Sequence, residues 1–228
     1  ALARAELVRG GGSGAWGNAA LGGTLQLFTA PPPGGAAAAP AGGRITGFAG
    51  ENGLRGGEFT AASPAGRGGG RFIPLDPAQR GPVDRPLGVR QGAVLAGWTA
   101  PLGENLELGA TVRGFDEERG NGTVLQQNRS RLRQAGASLA GRFGPGRSWS
   151  ANAYAQRQHL ACFFSSVGAG RATETPANDQ FDVPATAWGA AAQATWQAAD
   201  ATTTLGADLR RVEGETNEDF LFSAGRFT

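Results

Sequence analysis

Hydrophobic and polar residues alternate with a period of two over much of this chain, and that period predicts strands rather than helices. In 105–115 one face carries Leu106, Leu108, Ala110 and Val112, the other Asn105, Glu107, Gly109, Thr111 and Arg113. Over 149–158, Trp149, Ala151, Ala153 and Ala155 oppose Ser150, Asn152, Tyr154, Gln156 and Gln158. The segment 186–198 sets Trp188, Ala190, Ala192, Ala194 and Trp196 on one face. In 201–211, Thr203, Leu205, Ala207 and Leu209 oppose Thr202, Thr204, Asp208 and Arg210. Segments 90–99 and 131–143 repeat the pattern less cleanly. Ahead of these, 30–43 hold Pro31-Pro32-Pro33 and an alanine run ending at Pro40, the composition of a linker.

A soluble sandwich alternates too, so the period alone does not choose between water and lipid. Gap lengths do. The gaps 101–104, 144–148 and 199–200 are short, whereas 116–130, 159–185 and 212–228 are long and polar, the arrangement of an outer-membrane barrel. Trp188 and Trp196 share an apolar face, and eight residues tilted by about 40° span roughly 20 Å, near the spacing of two aromatic girdles. Trp98 and Trp149, each beside a short turn, belong to the periplasmic girdle. Faces of alanine and occasional leucine suit lipid contact better than a dense core. The expected fold is all-β: a partial transmembrane antiparallel barrel of about eight strands over 44–228, in a Gram-negative outer membrane. The short turn at 101–104 sends 90–99 toward the periplasm, so an odd number of strands must precede it. Residues 44–62 supply either one bent strand or a hairpin, and the hairpin needs a further strand around 69–75.

Composition adds mainly exclusions. The 228 residues include 39 Gly and 13 Pro, no Met, and arginine as the only basic type. A net charge of +2 with interspersed signs gives no stripe for nucleic acid, and no run of about 18 apolar residues forms a membrane helix. Cys162 has no cysteine partner, and His159, the one histidine, excludes a multi-histidine metal site within the chain. No catalytic constellation or cofactor motif emerges, and no enzyme is expected.

Identity rests on residues 6–29. Arg9-Gly10, Ser13, Trp16-Gly17, Ala20, Gly22-Gly23 and the short run Thr24 to Thr29 resemble the end of the plug domain of TonB-dependent outer-membrane receptors. Gly11 departs from that pattern, where many members have Pro. The stretch from Phe72 to Asp84 is similar, more weakly, to an early extracellular loop of the family. The glycines Gly12, Gly14 and Gly17 also satisfy G-x-G-x-x-G, but the dinucleotide motif needs a helix where this sequence continues as a strand. The resemblance implies residues 1–29 as the end of a plug, 30–43 as a linker, and the rest as the first third of a larger barrel, the chain being a piece of the whole. It also implies active uptake of a scarce ligand, such as an iron–siderophore chelate, cobalamin or a glycan. The energy would come through the TonB complex, whose contact lies in the missing upstream part. Lumen-facing groups near the outer rim, Arg113, Gln156, Gln158 and Arg210, are the candidate ligand contacts. A passive porin and a soluble β-rich adhesin or binding module are the competing readings.

Overall fold

The computed structural model describes residues 2–10, 23–29, 41–51, 54–63, 66–75, 82–85, 88–220 and 223–227. β1 (Leu2–Arg9) and β2 (Gly23–Thr29) pair antiparallel in a sheet of their own, with Arg9 opposite Gly23. β1 goes beyond the short apolar run expected at β2. A second sheet runs in chain order through β3 (Gly42–Ala49), β4 (Arg55–Ser63), β5 (Gly66–Leu75), β6 (Val89–Pro101), β7 (Leu106–Gly120), β8 (Gln127–Gly144), β9 (Arg147–Val167), β10 (Glu174–Gln197) and β11 (Thr202–Gly214). Every neighbouring pair is antiparallel. β12 (Asn217–Phe220) carries β11 onward beside β10: Gly214 stands opposite Ala185 and Asn217 opposite Asp182, with the break at Glu215, whose amide donates to the Pro184 carbonyl at 3.2 Å. A 3₁₀ turn at Ala169–Arg171 is the only helical element among the described residues.

The expected barrel strands are therefore present, as nine rather than about eight. Three of them precede β6, the odd number its direction requires, because 42–63 form the hairpin and β5 follows. The long polar gaps need correction. Most of 116–130 and 159–185 is strand: β7 reaches Gly120, β8 starts at Gln127, β9 reaches Val167 and β10 starts at Glu174. Above the apolar zone both faces meet water, so alternation fades while the backbone ladder continues, joined by cross-strand pairs such as Arg129–Glu118 and Arg131–Asp116.

Opposed residues in a ladder share a face. Trp188, Ala155, Ala135 and Val112 are successive partners, as are Ala190, Ala153, Ala137, Ala110 and Trp98, so the apolar face is continuous from β6 to β10. It is the outward one: on β8, Arg129 to Ala137 are exposed at odd positions, while Asn128 to Gly136 are half-buried at even ones. Residues on the concave side of a curved sheet shield one another.

Very little is buried. Val83, Cys162 and Ala187 are the only buried apolar side chains among the described residues, and Trp98, Trp188 and Trp196 are 43, 49 and 40% exposed. The accessible surface is 15,227 Å², against about 9,700 Å² for a compact protein of this mass. A water-soluble sandwich cannot leave such a face bare.

The band's upper edge gives the strand tilt. Outward positions turn charged at Arg211, Arg157, Arg133, Asp116 and Arg90 on β11, β9, β8, β7 and β6. Arg211 stands opposite Trp188, Arg157 opposite Thr186 and Arg133 opposite Arg157. Asp116 and then Arg90 each lie two residues farther up the ladder. That climb, about six residues over five steps of about 4.8 Å, corresponds to a tilt near 40°. On such an incline Trp98, Trp149 and Trp196 fall at one height, and Trp149 stacks on Phe143 with centroids 6.0 Å apart.

Ala137 faces outward at mid-band and Ser138 inward. Ala137→Arg is expected to destabilise the folded barrel by about 2–4 kcal/mol, and Ser138→Arg by much less. Equilibrium folding into lipid vesicles, followed by gel mobility, measures both.

Candidate functional site

The concave face carries the polar groups. Arg113 on β7 stands opposite Gln134 on β8, and Gln134 opposite Gln156 on β9, a row of one guanidinium and two carboxamides at the upper edge of the band. Gln158 lies two residues farther up β9 on the same face. One row lower, Thr111, Gly136, Tyr154, Gly189 and Arg210 succeed one another across five strands. Gly189 has a reason to lack a side chain, since a Cβ there would approach Tyr154 Cε1 to 2.7 Å. The phenol ring thus lies over β10 and covers the gap toward Arg210. None of Arg113, Gln134, Gln156, Gln158 or Arg210 has a side-chain hydrogen bond or ion pair within the described residues. Arg113 and Arg210 are exposed, and the three glutamines half-buried.

Above this face, three connections are tied into one junction. Asp84, in the β5–β6 connection, is 4% exposed and receives Arg171 Nε at 2.8 Å from the β9–β10 turn. The Val83 amide donates to the Arg171 carbonyl, and the Arg85 amide to the Gly122 carbonyl in the β7–β8 loop. Asp84 also bridges to Thr123, itself 4% exposed. Arg171 adopts φ +56, a left-handed conformation that costs a non-glycine residue about 1 kcal/mol or more, and its contacts to Val83 and Asp84 hold it there. Glu174 anchors the other side, accepting from the hydroxyls of Thr123 and Ser165 and from the Leu125 amide at 3.2 Å. Burial works against its charge. Those hydrogen bonds, with the Val124 amide, outweigh burial and hold the carboxyl below its ordinary 4.5.

No protein-family model and no curated protein matches the sequence. Among solved structures, the chain is similar to one described as "Copper transporter OprC", with a TM-score of 0.70 and 18% identity. The match takes in 97% of this chain and 36% of that one, so the chain spans about a third of the transporter's length. The fold shared with it is part of an antiparallel β-barrel wall.

Within that barrel wall, Arg113 and Gln156 come together through Gln134, which sequence reasoning missed, as it missed Tyr154. Both stood on the polar side of recognised strands, and only the register shows that they join the other groups. Arg210 lies apart, on β11, facing the Tyr154 row rather than the Gln156 row. The four tryptophans share the outward face. His159, which the sequence leaves at the head of the 159–185 gap, sits within β9 on the outward face, with Nε2 2.6 Å from Asp182. Cys162 also lies within β9, beside Asn128 and Gln180, and burial pushes its thiol up, away from the reactive thiolate.

Of the plug-like motif, Ser13, Trp16, Gly17 and Gly22 lie outside the described residues, while Arg9, Gly10 and Gly23 lie at the open end of the β1–β2 pair. Gly23, at φ +146, leaves no room for a Cβ, which would stand 2.7 Å from the Val8 carbonyl oxygen. The described flanks of the glycine run are two paired strands, not a strand and a helix.

Glu174, with its lowered pKa, contributes junction stability that is complete above its ordinary 4.5 and is lost as pH falls through the lowered value. Acidification is therefore expected to raise hydrogen exchange at the Leu125 and Gln126 amides beyond the intrinsic change. In Glu174→Gln the exchange should be raised already at neutral pH and show no acid step.

Proposed function

We propose that this chain forms part of the wall of a TonB-dependent transporter that takes up a scarce ligand across the outer membrane. The row Arg113–Gln134–Gln156 carries the reading: unpartnered polar groups at the upper edge of a wall whose other face is apolar, below loops fastened to one another. Residues 6–29 support the plug, the feature that separates an energised transporter from an open pore. Two guanidiniums, three carboxamides and a phenol suit an oxygen-rich, anionic ligand, because arginine pairs with carboxylate-type oxygens in two parallel bonds while amides and hydroxyls fill the remaining positions. A chelate of a scarce metal has that surface. Copper belongs among the candidate cargoes because the matching structure is described as a copper transporter; iron–siderophore chelates share the anionic, oxygen-rich surface, whereas cobalamin and glycans match it only in their hydrogen-bonding groups.

In this scheme no covalent step occurs. Ligand settles on the concave polar rows beneath the loop junction, and work delivered through TonB moves the plug and releases it inward.

In cells expressing the whole protein, uptake should stop without the TonB complex, or with a protonophore, while surface binding persists; continued uptake would mean a passive pore. Arg113→Ala is expected to weaken ligand binding about tenfold or more, the scale of one charge-assisted hydrogen bond, with barrel abundance unchanged. Equilibrium binding of candidate chelates to intact cells reads this out, and unchanged affinity in Arg113→Ala and Gln156→Ala together would remove the row from the site.

A further inference from the structure

The concave face changes character above the Arg113 row. Along most of β10 the even positions, Trp188 and Ala190 among them, face outward, but a register shift between Gln180 and Val183 sets one extra residue against β9. That residue reverses the alternation, so Asn178 and Gln180 turn inward and Asp179 outward. Gln180 stands opposite Cys162 and Cys162 opposite Asn128, on the half-buried inner side of β8. On β12, Phe220 stands opposite Asn178, and Glu218 shares the inner face, where the Asn178 and Gln180 side chains reach it.

The resulting constellation begins about 20 Å farther up β9 than Gln156. Phe164 and Phe220 flank Asn178 on the neighbouring strands and are 49 and 53% exposed. Glu218 accepts the Asn178 and Gln180 carboxamides at 3.0 Å each, both on Oε2, and these bonds hold its carboxyl below the ordinary 4.5. Oε1 accepts no hydrogen bond, and Glu218 has no ion-pair partner among the described residues. Arg119, opposite Asn128 in the same row, is already paired with Glu117 at 3.0 Å. Between the two rings, Asn178 Oδ1 is shielded from water and lacks a donor, and a buried acceptor left unmet calls for a partner.

We infer that this constellation binds the ammonium or guanidinium group of a cationic small molecule, with Glu218 as its counter-ion and the faces of Phe164 and Phe220 on either side. Two strand spacings put the backbone positions of the rings about 10 Å apart, so a cation midway lies about 5 Å from each, within the reach of a cation–π contact. A carboxylate fixed by two donors on one oxygen presents the other at little ordering cost, and a hydrogen bond between two charged groups is among the stronger ones. Asn178 Oδ1 supplies a second acceptor once either exposed ring moves aside. A neutral sugar stacks on such rings too, but gains nothing from the charge of Glu218. The site is separate from the Arg113 row, which suits groups of the opposite sign.

Ligand-observed NMR of the whole protein in detergent, titrated with agmatine, tetramethylammonium and glucose, tests the site. Wild type should bind agmatine saturably, bind tetramethylammonium, which has no N–H to donate, several-fold more weakly, and show no saturable binding of glucose. Glu218→Gln, close in shape, should weaken agmatine binding about tenfold or more, the scale of a charge-assisted hydrogen bond. Phe164→Leu/Phe220→Leu should weaken both cations several-fold, with gel mobility confirming a folded barrel in each variant. No saturable agmatine binding to wild type, or wild-type affinity in Glu218→Gln, overturns the site. Unchanged affinity in the double leucine variant leaves only a surface carboxylate and overturns the aromatic clamp. Glucose bound as tightly as agmatine, in wild type and Glu218→Gln alike, assigns the rings to a neutral sugar instead. Arg113→Ala should leave agmatine binding unchanged, so this site and the Arg113 row stand or fall separately.

Discussion

Hydrocarbon offers no partner to a backbone N–H or C=O, and that constraint governs the rest of the structure. Within the apolar band the ladder from β3 to β11 has to be complete, and it is continuous there across every neighbouring pair. Its irregularities lie where water can serve. The register shifts next to Pro176 and Val183, and the break at Glu215, stand above the band, and the shift at Gly144 falls at the lower turn. Proline, which removes a donor, follows nearly the same division: Pro176 and Pro184 are above the band, Pro74 stands level with Arg90 at its upper edge, and Pro101 ends β6 below it. Among the described residues the sheet is open, with β3 and β11 each paired on one side only. In lipid those edges need further strands, which fits a chain matching 36% of a transporter barrel.

Side-chain placement follows from the same ladder. Because the register fixes which residues share a face, a single tilt near 40° accounts for the level run of Trp98, Trp149 and Trp196 and for the stepped rise of the first charged residue on each strand. Two independent sets of residues, one at each edge of the band, obey one inclination. Small outward side chains, mostly alanine between Trp188 and Trp196, are then understandable: lipid chains adapt to them, and close packing is not required to stabilise the sheet.

Much of this was legible in the sequence because the band imposes the period. The strands around 105–115, 149–158, 186–198 and 201–211 alternate only where one face meets lipid and the other the lumen. Beyond the band the signal ends though the strand does not, and for that reason 116–120 and 159–167 read as loop. The candidate ligand row was half legible. Arg113 and Gln156 could be placed on polar faces, but Gln134 joins them through a register that depends on turns at 121–126 and 144–147, and alternation says nothing about how far one strand slides past the next. The junction was hidden for a different reason: Asp84 and Arg171 are 87 residues apart, in segments without periodicity.

The junction meets, in water, a requirement opposite to that of the band. Loops there carry polar groups that solvent would satisfy singly, yet Asp84 and Thr123 are more buried than any apolar side chain described. Such burial is stable only if each group is bonded, and here every link crosses between connections: β5–β6 to β9–β10 through Asp84 and Arg171, β7–β8 to β10 through Thr123 and Glu174. A left-handed Arg171 is tolerated because two of these links end on it. Loops joined this way cannot open one at a time without leaving a buried charge unpaired, so the segments above the concave rows are coupled, and a ligand that displaces one of them acts on all three.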